Sequence, residues 1–291
     1  MNNLDNQKIA KDFLQATDEF NRMAMVAGLG EVTQYYWYHT IDLPHGLVTP
    51  GQYDYRSSIV NFNFPQDMSG NTVLDVGAAT GFFSFELEKR GARVVAVEIP
   101  SLDALDCFPG QSRDSIVEKI GELIAPKSYC HLPGYIKNYT KEELYFYLLK
   151  APFAFCHDLL HSKVERCFSN IYDLCPSVLG VQAFDYILLG DILVHTLNPL
   201  QALAVIAPLC RGTLVISQSM PDVPGLGPAM QYVGGQEQLV DTLTWWLPNQ
   251  DFFIQLLKKL GFHNVRMVGS HLGHQRPTGI YYDRPILHAI K

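Results

Sequence analysis

One stretch of the chain, residues 73–100, restricts the fold more than any other. It reads VLDVGAATGFFSFELEKRGARVVAVEIP: an apolar run, a turn of small residues, a helical pattern over 81–90, and a second apolar run ending in Glu98. Two apolar runs joined by a helix predict two parallel strands, because parallel neighbours need a crossover connection. The stretch therefore predicts an α/β unit with a tight loop at the carboxyl end of its first strand.

The loop between the first predicted strand and the helix contains no large side chain. Gly77 allows a tight turn with positive φ, and Gly81 lets the helix start close to the sheet. Ala78 and Ala79 keep the loop small, so that the backbone can approach a ligand. In open α/β sheets ligands bind at the carboxyl ends of the strands, so we expect a binding site here.

Two carboxylates indicate which ligand this loop would take. Asp75 stands two residues before Gly77, and Glu98 follows 21 residues after it. An acid at the end of the second strand can accept hydrogen bonds from both ribose hydroxyls. The middle glycine of a dinucleotide fingerprint is missing, and Asp75 would repel a pyrophosphate but attract a cationic amino-acid tail. The pattern therefore favours S-adenosylmethionine over NAD.

Strands and helices alternate along the rest of the chain, which predicts a parallel sheet with helices on both faces. Strands are predicted at 72–76, 93–98, 163–169, 184–189, 213–218, 264–269 and 285–290, and helices at 5–28, 81–90, 199–209 and 250–260. The stretch 101–162 is too long for an ordinary connection and has helical patterns, so we expect an inserted helical subdomain there.

The ordered series of these elements resembles the class I S-adenosylmethionine-dependent methyltransferases. VLDVGAATG and VVAVEIP are similar to motif I and the acidic second strand, and FDYILLGDILVHTLNP to the fourth strand and its loop. RGTLVISQS is similar to the fifth strand, and WWLPNQDFFIQLLKKLGFHNVRMV to the last helix and the sixth strand. The resemblance implies a Rossmann-like fold over 69–291 with a mostly parallel seven-stranded sheet. Residues 1–68 would form an N-terminal helix and an aromatic loop that covers the site.

The resemblance also implies a role for each matching position. The methionine part of the cofactor would lie against Asp75 and the 77–81 loop, and the ribose against Glu98. The expected cofactor contacts are Asp75, Gly77, Ala78, Ala79, Gly81, Glu98, Ile99, Asn170, Ile171, Tyr172, Gly190 and Arg56. Asn170 stands where many members have an Asp, and its amide oxygen can still accept from an adenine amino group.

A narrower resemblance comes from the order of an aromatic loop, the segment PGQYDYR and then motif I. This order is similar to the tRNA carboxymethoxyuridine methyltransferases, which use carboxy-S-adenosylmethionine. Arg56 matches an arginine of that group, whereas Tyr53 stands where the group has a lysine. Without that cation a carboxylate on the cofactor has no evident partner, so we expect plain S-adenosylmethionine.

The candidates for chemistry lie after the fourth strand and in the aromatic segments. Asp191 would lie beside the methyl group, and His195, four residues later, is the leading candidate for a general base. The alternative for His195 is that it caps or packs the following helix. The candidates for contact with the acceptor are His39, Tyr53, Tyr55, Trp245 and Trp246. Tyrosine faces can contact a sulfonium, but such rings also pack ordinary cores.

Composition narrows the partners. The net charge of −7 and the absence of a dense basic block argue against a nucleic-acid partner, because such binding depends on phosphate neutralisation. No apolar run is long enough for a membrane span, the N-terminus has no secretory pattern, and the six cysteines form no CxxC pair, so a cytoplasmic protein is expected. His157 and His161 are four apart but lack further ligands at the expected spacing, so no metal is expected.

These observations predict an enzyme that transfers a methyl group to a small-molecule acceptor. A tRNA-modifying enzyme and a non-catalytic S-adenosylmethionine-binding protein are the alternatives, and the accepting atom, N, O, S or C, stays open. The insert is expected either to cover the site as a lid or to form a homodimer interface, because its many aromatic residues suit both. These residues are Phe108, Tyr129, Tyr135, Tyr139, Tyr145, Phe146 and Tyr147.

Overall fold

The computed structural model describes residues 3–112, 114–118, 140–236 and 243–291. Three of the aromatic residues predicted to line the insert, Tyr129, Tyr135 and Tyr139, lie outside these ranges. Within the described ranges, no helix combines the length and the apolarity that a membrane crossing requires.

A seven-stranded sheet forms the centre of the molecule. Its strands are β1 (Thr72–Val76), β2 (Arg93–Glu98), β3 (Glu165–Phe168), β4 (Phe184–Gly190), β5 (Cys210–Ser217), β8 (Asn264–His274) and β9 (Tyr281–Ile290). Their order is β3-β2-β1-β4-β5-β9-β8. Strands β1 to β5 are parallel, and β9 runs antiparallel to both of its neighbours. This is the mostly parallel Rossmann-like sheet of class I methyltransferases, so the predicted fold is confirmed.

Helices cover both faces of the sheet. Successive side chains of a strand point to opposite faces, and in the buried strands the side chains on both faces are apolar. The helices are α1 (Asn3–Val26), α2 (Phe82–Lys89), α3 (Lys141–Tyr145), α4 (Ala151–Leu159), α5 (Pro176–Leu179), α6 (Pro199–Leu209) and α7 (Gln250–Lys259). In β4, Leu188 packs in the core shared with α1, α2 and α4, whereas Ile187 and Leu189 pack in the core shared with α6 and α7. Two strands, β6 (Met230–Tyr232) and β7 (Trp246–Pro248), form a separate small sheet.

The N-terminal segment packs onto the same core as the sheet. Phe20 of α1 and Trp37 of the aromatic segment meet edge to face with ring centroids 5.1 Å apart, and both are buried with Val73 of β1. The last helix of the insert also joins this layer, since Phe153 of α4 lies 5.0 Å from the ring of Phe85 in α2. Both segments therefore reach the part of the sheet next to the 77–81 loop.

Candidate active site

The loop after β1 has the backbone that its small residues predict. Gly77, Ala79 and Gly81 have φ values of 76°, 48° and 95°. A Cβ added at Gly77 would lie 2.9 Å from Cδ1 of Ile192, and one at Gly81 would lie 2.5 Å from a ring carbon of Phe85. The loop is thus wedged between the segment after β4 and the first turn of α2, and a larger residue at either glycine would displace it.

Glu98 is attached to this loop at the end of β2. Its Oε2 accepts from the backbone N–H of Ala79 at 3.0 Å, and its Oε1 accepts from the N–H of Ile99 at 3.0 Å. Glu98 is 7% exposed, so its carboxylate is held at the edge of the cleft rather than in free solvent. Each oxygen keeps a further lone pair, which a ligand hydroxyl can use.

Arg166 of β3 is part of the site although its sequence position gives little sign of it. Its guanidinium donates to the carbonyl oxygen of Ala79 at 3.3 Å and lies 3.9 Å from Oε2 of Glu98. The guanidinium also lies over the ring of Phe153, 3.8 Å from its centroid. Only the parallel pairing of β2 with β3, which sets Ala96 opposite Arg166, brings this cation to the loop.

Asp75 is 3% exposed in the middle of the sheet. The Ser84 hydroxyl of α2 donates to its Oδ2 at 2.6 Å. Burial raises the pKa of Asp75 to about 6, and the Ser84 hydrogen bond and the charge of Arg166 oppose this rise. At neutral pH Asp75 is a buried carboxylate behind the loop.

The segment after β3 contains the residues expected near adenine. Asn170 caps its own turn, since its Oδ1 accepts from the N–H of Tyr172 at 3.1 Å and its Nδ2 donates to the carbonyl oxygen of Ala104 at 3.3 Å. Ile171 is buried among core residues. The Tyr172 hydroxyl donates to Oδ2 of Asp106 at 2.5 Å. These bonds join the turn after β3 to the turn after β2, which contains Ile99.

At the carboxyl end of β4, Gly190 leads into Asp191, which has a φ of 48°. The backbone N–H of Asp191 donates to the carbonyl oxygen of Ser217 at 2.8 Å. Nε of Arg284 donates to Oδ2 of Asp191 at 2.7 Å. Burial raises the pKa of Asp191, and Arg284 opposes this rise. Arg284 was not among the predicted site residues, because only the antiparallel insertion of β9 beside β5 brings it to this end of the sheet.

The aromatic segment before the sheet covers the loop. The backbone N–H of His39 donates to Oγ1 of Thr80 at 2.9 Å, and Nδ1 of His39 accepts from the N–H of Phe82 at 3.4 Å. Burial lowers the pKa of His39 to about 3, so its ring is neutral and can accept at the start of α2. His39 thus lies against the loop, and its Nδ1 is directed at backbone.

Tyr53 and Tyr55 continue from His39 toward Asp191. The Tyr53 ring lies 4.9 Å from that of Tyr38, and Tyr55 stacks on His271 at 4.1 Å. Burial raises the pKa of Tyr53 to about 12, and the charge of Asp191 adds to this rise. Tyr38 and Tyr53 are partly exposed, whereas Tyr55 is buried.

His195, Trp245 and Trp246 form one group behind the segment after β4. Nδ1 of His195 lies 2.6 Å from the carbonyl oxygen of Leu243, and its side chain is exposed. The backbone N–H of Trp245 donates to the carbonyl oxygen of Val194 at 2.8 Å. Nε1 of Trp246 donates to the carbonyl oxygen of Leu197 at 3.0 Å. Trp245 is 2% exposed, so it packs in the interior.

Phe108 joins the insert to this group, since its ring meets that of Trp245 edge to face at 5.0 Å. Tyr145, also from the insert, donates its hydroxyl to the carbonyl oxygen of Ile99. The described parts of the insert therefore touch both sides of the cleft, the turn after β2 and the tryptophans.

Arg56 is separated from these residues by its own ion pairs. Its guanidinium lies 2.6 Å from Oδ1 of Asp42 and 2.7 Å from Oδ2 of Asp54. Among the described residues these are its ion-pair partners, and the structure does not bring it to the 77–81 loop. No group of three or more His, Cys, Asp and Glu residues within the described ranges has an arrangement that could hold a metal.

Gln218 is a further residue that the sequence did not single out. It follows β5 directly, is fully buried, and neither polar atom of its amide has a hydrogen-bond partner among the described residues. The neighbouring Ser217 accepts from Asp191. Buried amides usually have hydrogen-bond partners. The Gln218 amide therefore makes this end of the sheet more polar than a closely packed apolar interior.

No protein-family model matches the chain. Part of it is similar to two curated proteins. Magnesium-protoporphyrin O-methyltransferase of Rhodobacter capsulatus is 36% identical over 76 residues, which are 25% of this chain and 34% of that protein. Cypemycin N-terminal methyltransferase of Streptomyces sp is 40% identical over 67 residues, which are 22% of this chain and 26% of that protein. The chain thus matches about a third or less of the length of these relatives.

A solved structure with a similar chain course is the N-terminal domain of EvdMO1, determined in the presence of SAH and D-fucose. It is 13% identical, with a TM-score of 0.48, and the match covers 87% of this chain and 91% of that chain.

Proposed function

We propose that the chain is an S-adenosylmethionine-dependent methyltransferase that acts on a small-molecule acceptor. One observation carries the proposal: the Glu98 carboxylate at the end of β2 is bonded to Ala79 of a loop whose glycines have positive φ. This loop follows β1, which contains the buried Asp75. A backbone that can be approached closely, one acid for the ribose and one for a cationic tail fit this cofactor better than a dinucleotide.

Each part of the cofactor has residues of matching chemistry. We assign the methionine part to Asp75 and the loop Gly77, Ala78, Ala79 and Gly81, and the ribose to Glu98. We assign the adenine to the joined turns that contain Ile99, Asn170, Ile171 and Tyr172. Gly190 and Asp191 lie next to the loop, since Ile192 is the nearest neighbour of a Cβ built at Gly77. We therefore assign the end of β4 to the reacting group.

The bound cofactor supplies an electrophilic methyl group on a sulfonium. Held by the 77–81 loop, Asp75 and Glu98, the cofactor would supply this methyl carbon to the acceptor's lone pair, and the electron pair of the broken bond would stay on the sulfur. The chain's contribution is alignment and the exclusion of water, which can lower the barrier by several kcal/mol. We assign the exclusion of water to the paired rings of Tyr38 and Tyr53 and to Tyr145 of the insert, which is bonded to Ile99.

An acceptor that has a proton needs a base, which contributes about 10²–10⁴-fold. Asp191 and His195 are the proposed candidates for this role. Asp191 lies in the cleft wall but is paired with Arg284, whereas His195 is exposed and lies near enough for its charge to affect Asp191. We therefore propose that His195 takes the proton from the acceptor and that Asp191 orients the acceptor.

The partial relatives support transfer of a methyl group, because both are methyltransferases by name. A tRNA-modifying activity stays as the alternative, on the resemblance of the aromatic segment alone. Its expected arginine, Arg56, is paired with Asp42 and Asp54, which favours the small-molecule acceptor. The intact loop and acids favour catalysis over simple binding of the cofactor.

The test is incubation of the protein with methyl-labelled S-adenosylmethionine and either a small-molecule extract or total tRNA. We expect label in the small-molecule fraction and none in the tRNA. Glu98→Gln should reduce the transfer at low cofactor concentration, and Glu165→Gln, at the amino end of the neighbouring strand β3, should leave it intact. Label in tRNA would establish the alternative, and cofactor binding without transfer to either fraction would indicate a binding protein.

A further inference from the structure

The carboxyl end of β4 contains a largely buried ion pair that methyl transfer by itself does not require. Nε of Arg284 lies 2.7 Å from Oδ2 of Asp191, and the two side chains are 23% and 16% exposed. Removing two charges from water is unfavourable. Replacing such a pair by apolar residues of similar volume often leaves the stability of a protein unchanged or raises it. Asp191 also has a positive φ, which is uncommon outside glycine. Two unfavourable features at one residue of a cleft point to a role in function.

The position of the pair follows from the sheet. Val76, the last residue of β1, is opposite Leu189 of β4, so the 77–81 loop and the segment beginning at Gly190 leave the sheet side by side. Ile192 lies against Gly77 in consequence. The pair therefore lies beside the loop assigned to the methionine part, on the side toward the fourth and fifth strands.

The wall around the pair has no net charge. Burial raises the pKa of Tyr38, Tyr53 and Tyr55, and the charge of Asp191 adds to each rise, so all three phenols are neutral. Arg284 acts in the opposite direction on Tyr53 and Tyr55. Asp191 thus offsets the positive charge of Arg284 at this wall.

We propose that Asp191, by neutralising Arg284, makes the site select a cofactor whose transferred group has no charge and reject one whose transferred group has a carboxylate. The proposal rests on the proposed function, since it concerns the same site. A carboxylate on the transferred carbon would meet the Asp191 carboxylate in a region of low dielectric, where like charges repel strongly. Arg284 binds Asp191 through Nε, so a carboxylate at its remaining N–H groups would still lie close to the Asp191 carboxylate.

Removal of the Asp191 charge should invert this selection. In Asp191→Asn the side chain keeps its size, and Arg284 becomes an unpaired cation facing the cleft. A carboxylate there would gain an ion pair, whereas the methyl sulfonium would gain a like-charged neighbour. The specificity would therefore depend on one carboxylate oxygen and not on the shape of the cleft.

The experiment is isothermal titration of S-adenosylmethionine and carboxy-S-adenosylmethionine, which differ only in the carboxylate on the transferred group. The proteins are the full chain, Asp191→Asn, the double variant Asp191→Asn with Arg284→Gln, and Asp185→Asn. Asp185 is the matched control, because it forms the same 2.7 Å pair, with Arg211, at the amino end of the same strand.

We expect the full chain and Asp185→Asn to prefer S-adenosylmethionine at least about tenfold, and Asp191→Asn to shift the ratio of the two dissociation constants about tenfold or more toward the carboxylated cofactor. The double variant should lose this shift. A gain in affinity for one ligand cannot result from poor folding, so the ratio reports on the charge.

Equal affinities in the full chain, an unchanged ratio in Asp191→Asn, or a shift that persists in the double variant would each overturn the selection by the Asp191–Arg284 pair while leaving the methyltransferase proposal standing. If neither nucleoside binds the full chain, the proposed function itself is wrong, and the selection falls with it.

Discussion

Strand β4 has an aspartate–arginine pair at each end, and the two pairs have the same 2.7 Å separation in very different surroundings. At the amino end, Asp185 pairs with Arg211, whose side chain is 54% exposed, and Asp185 also accepts from Thr72. At the carboxyl end, Asp191 and Arg284 are both largely buried. The Arg211 hydrogen bond lowers the pKa of Asp185 to about 2, whereas burial raises that of Asp191.

The same aspartate–arginine contact thus serves a different purpose at each end of β4. At the amino end it satisfies groups at a solvent-exposed edge, where ion pairs contribute little or modestly to stability. At the carboxyl end it keeps two charges in a cleft at a free-energy cost, and that is where we place the reacting groups. Four predictions test this contrast between the two ends of the sheet.

The largest expected effect is on stability when one partner of each pair is removed. Arg284→Met leaves Asp191 buried without its cation and should lower the free energy of unfolding by about 3 kcal/mol or more. Arg211→Met removes an exposed partner of Asp185 and should lower the free energy of unfolding much less. Urea unfolding of both variants measures the difference, and equal losses would remove the contrast.

The second prediction concerns pH. Asp75 at the carboxyl end of β1 has a folded-state pKa raised to about 6 from an ordinary 3.8, so its contribution to stability is present at low pH and is lost as the pH rises through 6. The shift corresponds to about 3 kcal/mol. The free energy of unfolding of Asp75→Asn, relative to that of the unsubstituted chain, should therefore rise by about that much between pH 4 and pH 7. Urea unfolding at both pH values measures this difference.

The contribution of Asp185 to stability changes with pH in the opposite direction, because the pKa of Asp185 is lowered to about 2. Its contribution is present above its unfolded value near 3.8 and is lost as the pH falls toward 2. Asp185→Asn should therefore approach the stability of the unsubstituted chain only below pH 4. If both variants changed with pH in the same direction, the contrast between the two ends would be wrong.

The third prediction compares two carboxylates on neighbouring strands. Glu98→Gln, at the carboxyl end of β2, should weaken S-adenosylhomocysteine binding by about 1–3 kcal/mol, because an acceptor of the ribose hydroxyls and of Ala79 loses its charge. Glu165→Gln, at the start of β3, loses only its exposed bond to Arg93 and should bind as before. Calorimetry on both variants decides, and a loss at Glu165 would contradict the assignment.

The smallest effect is expected from two glycine substitutions with similar backbone strain. Gly77 and Gly180 have φ values of 76° and 66°, so alanine is strained at both and should reduce stability by about 1 kcal/mol. A Cβ meets Ile192 only at Gly77, whereas nothing lies within 4 Å at Gly180. Gly77→Ala should thus also weaken cofactor binding about tenfold, and Gly180→Ala should not; equal binding in the two would contradict the role of the loop.

Much of the fold could be predicted from local patterns. The strands 72–76 and 93–98 and the helix 199–209 have the predicted bounds, because each is a continuous apolar run bounded by turn residues. The strands β8 and β9 extend beyond the predicted 264–269 and 285–290, to His274 and from Tyr281. The added residues, 270–274 and 281–284, have no regular alternation of apolar and polar side chains, and they form strands because they pair with each other.

The sequence by itself determined the loop and its two acids, because these residues are local to one strand–turn–helix–strand unit whose conformation depends on Gly, Ala and chain direction. Tertiary structure alone decided which cations face them. Arg166 reaches the loop through the pairing of β2 with β3, and Arg284 reaches Asp191 only because β9 inserts antiparallel beside β5. It also directed Arg56 to Asp42 and Asp54, since a long side chain binds whichever carboxylates the fold brings near.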